Sequence, residues 1–70
     1  MSETDKLRVL LPHWIEHNGE HAWEFREWAE RAGVAGDALT AAAALIEEAN
    51  RQLEDALDQL GGPLEQHHHD

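Results

Sequence analysis

The segment "GVAG" at residues 33–36 constrains the fold most, because it separates two long stretches whose apolar residues have helical periodicity. Apolar residues fall on one helical stripe over residues 7–32 and on another over residues 39–60. Alanine, leucine, glutamate and arginine dominate both stretches, and these residues favour helix. Two helices joined by a short loop form an antiparallel hairpin, so the sequence predicts an all-α fold.

The ends of the predicted helices are marked by proline, glycine and aspartate. Pro12 cannot donate the amide bond to residue 8, so we expect a short lead helix or a kink before it and the main helix from about Pro12. Gly33 is expected at the C′ position that ends this helix. Asp37 is expected to cap the start of the second helix, which stops at "GGP" at 61–63.

Both apolar stripes are wider than one helix pair can cover. Leu10 and Trp28 widen the first stripe, and Ala38 and Leu45 widen the second. Trp14 and Trp28 are expected to pack in the core. We therefore expect a homodimer in which two hairpins pair as a four-helix bundle. The alternative is a marginal monomer with the lead helix folded back as a third element.

Composition excludes several classes of partner. Five basic and fifteen acidic residues give a net charge of −10, which repels nucleic acid and anionic membranes and attracts cations. No apolar run approaches the roughly 20 residues that a membrane-spanning helix needs. The chain has no cysteine, which fits a reducing compartment. We expect a cytoplasmic protein with one helical domain at 1–62 and a flexible histidine-rich tail at 63–70.

Three histidines, His13, His17 and His21, stand four residues apart in the first helix. Each such step turns about 40° and rises about 6 Å, so the three form a slow spiral along one flank. Counting from the apolar stripe, His21 is expected inside it, His17 at its edge and His13 towards solvent. Two histidines four apart on a helix chelate zinc, nickel or copper, so His17 with His21 is the preferred pair and His13 is auxiliary.

Carboxylates complete the predicted metal site. Glu20 and Glu24 each follow a histidine by three residues, and the second helix of the hairpin is expected to supply further carboxylates. Asn18 lies near the centre of the apolar stripe, where it either fixes the register of the bundle or orients His21. The predicted ligands are His17, His21, Glu24, His13, Glu20, Glu47 and Glu54. Asn18 is expected to contact these ligands without binding the ion itself.

Iron and catalysis are both less expected than zinc, nickel or copper binding. A Glu-x-x-His di-iron motif ending at His21 would need glutamate at position 18, where the chain has asparagine. No serine, cysteine or lysine stands beside a histidine as a nucleophile, and there is no glycine-rich phosphate loop. We do not expect an enzyme. In the plainer interpretation, the histidines cover core apolar surface and hydrogen-bond to acids.

Trp23 and the tail are separate from the three histidines of the first helix. Trp23 points nearly opposite the stripe between acidic residues, which marks it as a contact for a larger protein partner or for the lead helix. The tail "HHHD" at 67–70 either captures a divalent ion loosely or resembles an expression tag. The intervening glutamine and the final aspartate favour native sequence.

The stretch "LLPHWIEHNGEHAWEFREWAE" at 10–30 resembles small uncharacterised prokaryotic helical proteins with a His-Trp, His-Asn, Glu-His pattern. The matching positions are His13, Trp14, His17, Asn18 and His21. The resemblance implies that this pattern acts as one unit and implies no activity. The alternation of Glu and His is also similar to ferritin-like helical hairpins that dimerise around iron, as an analogy of fold.

The sequence thus favours a small dimeric helical protein that binds a divalent transition metal, for storage, delivery or sensing. The alternative is a structural or protein–protein interaction module without a metal.

Overall fold

In the computed structural model, which describes residues 2–64, the chain forms two long antiparallel helices. Helix α1 spans Glu3–Ala29 and helix α2 spans Gly36–Gln59, and a short 3₁₀ helix, Gly33–Ala35, leads into α2. The predicted all-α hairpin is confirmed. None of the helices in this part of the chain combines the length and the apolar character that crossing a bilayer requires.

The prediction of a separate lead helix before Pro12 is wrong, because α1 continues through Pro12 without interruption. The missing amide of Pro12 leaves the carbonyl of Arg8 without its helical donor. The amide of Leu64 donates to that carbonyl at 3.3 Å. A segment far along the chain therefore satisfies the group that the proline leaves free. Within residues 2–64 no third element folds back on the hairpin.

The end of α2 is closed by two glycines and by Arg8 of the other helix. Gly61 and Gly62 have φ of 106° and 87°, and the amide of Gly62 donates to the carbonyl of Leu57 at 2.9 Å. This pattern is a Schellman cap, and it confirms the predicted stop at "GGP". Arg8 Nε donates to the carbonyl of Gly62 at 2.7 Å, and Nη2 to that of Gly61 at 3.3 Å. The start of α1 is thereby tied to the end of α2.

The connection between the helices differs from the predicted caps. Helix α1 ends at Ala29, four residues before Gly33, which has a φ of 61° and opens the 3₁₀ helix. Helix α2 begins at Gly36, so Asp37 lies in its first turn rather than at its cap. A Cβ added to Gly36 would lie 2.7 Å from the carbonyl oxygen of Ala29. The two chain segments approach so closely here that only glycine fits.

The helices meet along what we call the inner face, whose residues recur at alternating spacings of three and four. Leu11 and Ala22 of α1 and Ala43 and Leu57 of α2 are the buried residues of this face. The remaining members are partly covered. The inner face consists of Leu11, Ile15, Asn18, Ala22, Phe25 and Ala29 on α1, and of Leu39, Ala43, Ile46, Asn50, Leu53, Leu57 and Leu60 on α2.

Asn18 lies in the middle of the inner face, as predicted, and is half-buried. Its Nδ2 donates to Oδ1 of Asn50 at 3.1 Å, and Nδ2 of Asn50 donates to the carbonyl of Ile15 at 3.0 Å. A polar pair surrounded by apolar residues is satisfied only when the two asparagines stand level. The pair therefore fixes the register of α1 against α2.

The hairpin is a single layer. Its extents are 47 × 28 × 14 Å and its radius of gyration is 15.3 Å, whereas a compact chain of this length has about 11 Å. One layer of two helices has no second layer to cover its sides.

The close approach at Gly36 predicts opposite effects for two glycine-to-alanine substitutions. Gly36→Ala should lower the free energy of unfolding by about 1–3 kcal/mol, because the new methyl group collides with the carbonyl of Ala29. Gly19→Ala is the matched control. A Cβ there would lie 4.0 Å from Nδ2 of Asn50, so the change should raise that free energy by up to about 1 kcal/mol. Urea unfolding followed by circular dichroism measures both, and equal effects would contradict the prediction.

Pro12→Ala should exchange one hydrogen bond for another. The new amide at position 12 takes the carbonyl of Arg8, so the amide of Leu64 loses its acceptor and should exchange with solvent at least about tenfold faster. The free energy of unfolding should rise by about 1–2 kcal/mol, since proline in a helix interior costs up to about 3 kcal/mol. Amide exchange by NMR tests this, with His13→Ala as the control. Unchanged protection of Leu64 would contradict it.

Candidate functional site

A second series of residues on α1 repeats with the same spacing as the inner face but is not covered by α2. Leu7, Leu10, Trp14 and Trp28 belong to it and are 40, 41, 42 and 59% exposed. The prediction that Trp14 and Trp28 pack in the core is therefore wrong for the single hairpin. The series is Leu7, Leu10, Trp14, His17, His21, Glu24 and Trp28. Its spacing is the a/d pattern of a helix that packs against another helix.

Helix α2 carries a matching series made mostly of alanine. Leu45 is its one large apolar member and is 71% exposed, and Ala38 and Ala49 are also exposed. The full series is Ala38, Ala42, Leu45, Ala49, Gln52 and Ala56. Small residues at this spacing form a flat surface that allows another backbone to approach closely. Sequence reasoning missed this series because the alanines were counted as part of one broad stripe.

The two series lie on the same side of the hairpin. Each is turned by roughly 60–100° from the inner face of its own helix, and in an antiparallel pair these rotations bring both series to one side. We call this combined surface the outer face. Arg26 and Glu47 mark the opposite side, where Nη2 and Nε of Arg26 lie 2.7 and 3.0 Å from the two carboxylate oxygens.

We call His13, His17 and His21 the histidine ladder; His17 and His21 belong to the outer face, and His13 lies at its edge. The ring centroids of His13 and His17 are 5.7 Å apart and stacked, and those of His17 and His21 are 5.4 Å apart and nearly perpendicular. Nδ1 of His21 lies 3.5 Å from Oε1 of Glu24. The side chains of His21 and Glu24 are 52 and 58% exposed. The prediction that His21 lies inside the covered stripe is therefore wrong for the single hairpin. The apolar residues of the outer face flank the ladder at both ends.

The carboxylates predicted from α2 are not brought to the histidines. Glu47 is held by Arg26, whose hydrogen bond lowers the pKa of this carboxyl group below its usual value. Glu54 is exposed, and the helical repeat sets it on the side of Glu47. Within residues 2–64, no three histidine or acidic side chains converge on a point that could hold an ion. One hairpin thus offers the pair His17 and His21, with Glu24 beside it.

Three further predicted residues also have definite positions. Asn18 donates to Asn50 across the inner face, a contact that matches the register role rather than the orientation of His21. Trp23 is 64% exposed and lines a shallow groove with Glu20 on the flank away from α2. Because α1 is continuous, its first turns extend away from Trp23 and do not cover it. The histidines at 67–69 lie outside the described residues.

A family model matches residues 7–60, a span that contains both series of the outer face and the asparagine pair. No curated protein and no solved structure matches the chain. The matched span is most of the chain, and it begins and ends at the first and last apolar residues of the hairpin. The chain therefore belongs to the family described as a domain of unknown function, DUF8180.

Proposed function

We propose that the chain is a self-associating helical module in which two copies pair through their outer faces as a four-helix bundle. The observation that carries this proposal is the outer face itself. Leucine and tryptophan side chains on α1 and alanines on α2 repeat at helix-packing spacing. The α1 side chains, Leu45, Ala38 and Ala49 are exposed to solvent, and Ala42 and Ala56 are partly covered.

The need for a second copy follows from how little one hairpin buries. Of residues 2–64, four are buried, and two of these are alanines. A face about 30 Å long and two helices wide offers about 600 Å² per copy, or about 1,200 Å² in a dimer, which lies at the lower end of specific interfaces. At about 25 cal/mol per Å² of apolar surface, such burial supplies stability that the single layer lacks.

The distribution of charge favours pairing through this face. The chain carries a net charge of −10, so two copies repel each other over most of their surfaces. Glu24 is the one acidic residue of the outer face, and the face itself has no lysine or arginine. At its end, the guanidinium of Arg31 lies 4.6 Å from the ring centroid of Trp28. The outer face is therefore the side on which two copies meet with the least repulsion.

A second candidate function is the binding of a divalent transition metal, in storage, delivery or sensing. The specific observation is the exposed ladder, with the rings of His17 and His21 5.4 Å apart on successive turns. Imidazole pairs at this spacing chelate zinc, nickel and copper, and Glu24 is close enough to act as a third donor or to orient His21. The net negative charge also attracts such ions.

Leu45→Glu tests the association. Leu45 is 71% exposed in the hairpin, so the substitution should leave the hairpin folded, but it places a charge in the paired outer faces. The dissociation constant of the dimer should rise more than about tenfold, which corresponds to about 1.4 kcal/mol. Val34→Glu is the control, because Val34 is 104% exposed in the connecting turn and adds the same charge off the face. Sedimentation equilibrium measures the dissociation constants of both variants. A wild-type chain that stays monomeric at about 0.5 mM contradicts the proposal, because its dimer would have a larger dissociation constant than specific complexes have.

Metal binding is tested by calorimetric titration of nickel and zinc into a full-length variant in which His67, His68 and His69 are alanine. We expect micromolar binding, because two imidazoles on adjacent turns act as a chelate. His17→Ala/His21→Ala should abolish it.

His13→Ala is the matched control for this titration and should retain binding, because it leaves the pair His17 and His21 intact. Binding that depends on the tail histidines alone would contradict the metal function.

A further inference from the structure

We infer that the metal site is shared between two copies, with one ion on the two-fold axis held by His17 and His21 of both chains. This inference rests on the proposed dimer and specifies its geometry. The two copies would pair with α1 against α1 and α2 against α2, each pair antiparallel. Symmetric dimers use the same patch of both copies, so any residue on the axis meets its own equivalent.

The spacing of the outer face on α1 sets the register of this pairing. In the register that we infer for α1, an a residue of one chain lies beside a d residue of the other. When His17 faces His21 of the second copy, the reciprocal contact forms at the same time, and Leu10 lies beside Trp28 of the second copy. The two-fold axis then crosses α1 at position 19, midway between the histidines.

Helix α2 gives an independent estimate of where the axis crosses. Three alanines of its series are evenly spaced, with Ala42 and Ala56 seven residues to either side of Ala49. An axis through Ala49 sets Ala42 beside Ala56 of the second copy and keeps small residues opposite one another. Position 19 of α1 and position 50 of α2 are neighbours, since a Cβ at Gly19 would lie 4.0 Å from Nδ2 of Asn50. The same axis therefore passes through the symmetry points of both helices.

The donors suit a shared ion better than one held by a single chain. A hairpin alone presents two imidazoles, which leaves a tetrahedral ion half coordinated, whereas two copies present four. Oε1 of Glu24 lies 3.5 Å from Nδ1 of His21, so Nε2 is the ring nitrogen left free to bind the ion. The leucines and tryptophans at both ends of the outer face would exclude water from the site. The ion would also offset the charge of two acidic chains.

A different dimer, with its axis parallel to the helices, would pack α1 against α2 of the second copy. Each histidine pair would then face Ala49 and Gln52 of the other chain, which add no imidazole. The two dimers differ in what lies opposite Ala49, and the chain has no native cysteine to interfere with a crosslink.

Ala49→Cys distinguishes the two arrangements in the full-length chain. In the inferred dimer the two Ala49 residues meet at the axis within reach of a disulfide, so oxidation should give a crosslinked dimer. Ala42→Cys is the matched control. Its two copies lie on opposite sides of the axis, about 20 Å apart, and should not crosslink. Crosslinking of both variants or of neither, in a chain that sediments as a dimer, overturns the inferred axis.

Zinc titration tests the shared ion, again with alanine at the tail histidines His67, His68 and His69. We expect one zinc per two chains, a dissociation constant for the dimer that falls at least about tenfold with zinc, and reversal by chelator. His17→Ala and His21→Ala should each abolish the zinc effect, and His13→Ala should keep it. One zinc per chain, or a dimer that zinc leaves unchanged, overturns the inference but not the proposed association. A chain that is monomeric with and without zinc overturns both.

Discussion

The paired amides of Asn18 and Asn50 determine how the rest of the molecule is arranged. The other members of the inner face are leucine, alanine, isoleucine and phenylalanine, which have no directional contacts. Sliding one helix by a turn would leave the two half-buried amides without their partners. The pair therefore holds one register. That register sets the level of His17 and His21 against the alanine series of α2, so a contact in the inner face fixes the geometry of the outer face.

Pro12 shows how a local cost becomes a tertiary contact. A proline inside a helix removes a hydrogen bond, and the carbonyl that it leaves must find another donor or stay unsatisfied. Leu64 supplies that donor, and Arg8 on the same turn reaches the carbonyls of Gly61 and Gly62. Pro12 thus marks the place where the chain beyond α2 is attached to α1, and these contacts close the open end of the hairpin.

The sequence predicts the hairpin, the glycine stop of α2 and the central place of Asn18, because these depend on local periodicity and turn chemistry. It does not predict the continuity of α1 through Pro12, since the compensating donor lies more than fifty residues away. The positions of Trp14, Trp28 and the histidine pair were missed for a related reason. A broad apolar stripe does not reveal that it consists of two adjacent series, one facing α2 and one facing outward. The two series are distinguished only once the position of α1 against α2 is known.

Two series with helix-packing spacing run along α1, and α2 covers only one of them. The histidines His17 and His21 stand in the series that α2 leaves exposed, so in the proposed dimer metal binding and association would be coupled. An ion that binds the paired state more tightly than the single hairpin strengthens pairing. Pairing in turn strengthens the binding of the ion by the same factor. In a small acidic protein with so few buried residues, that reciprocity would make the concentration of the ion a determinant of assembly.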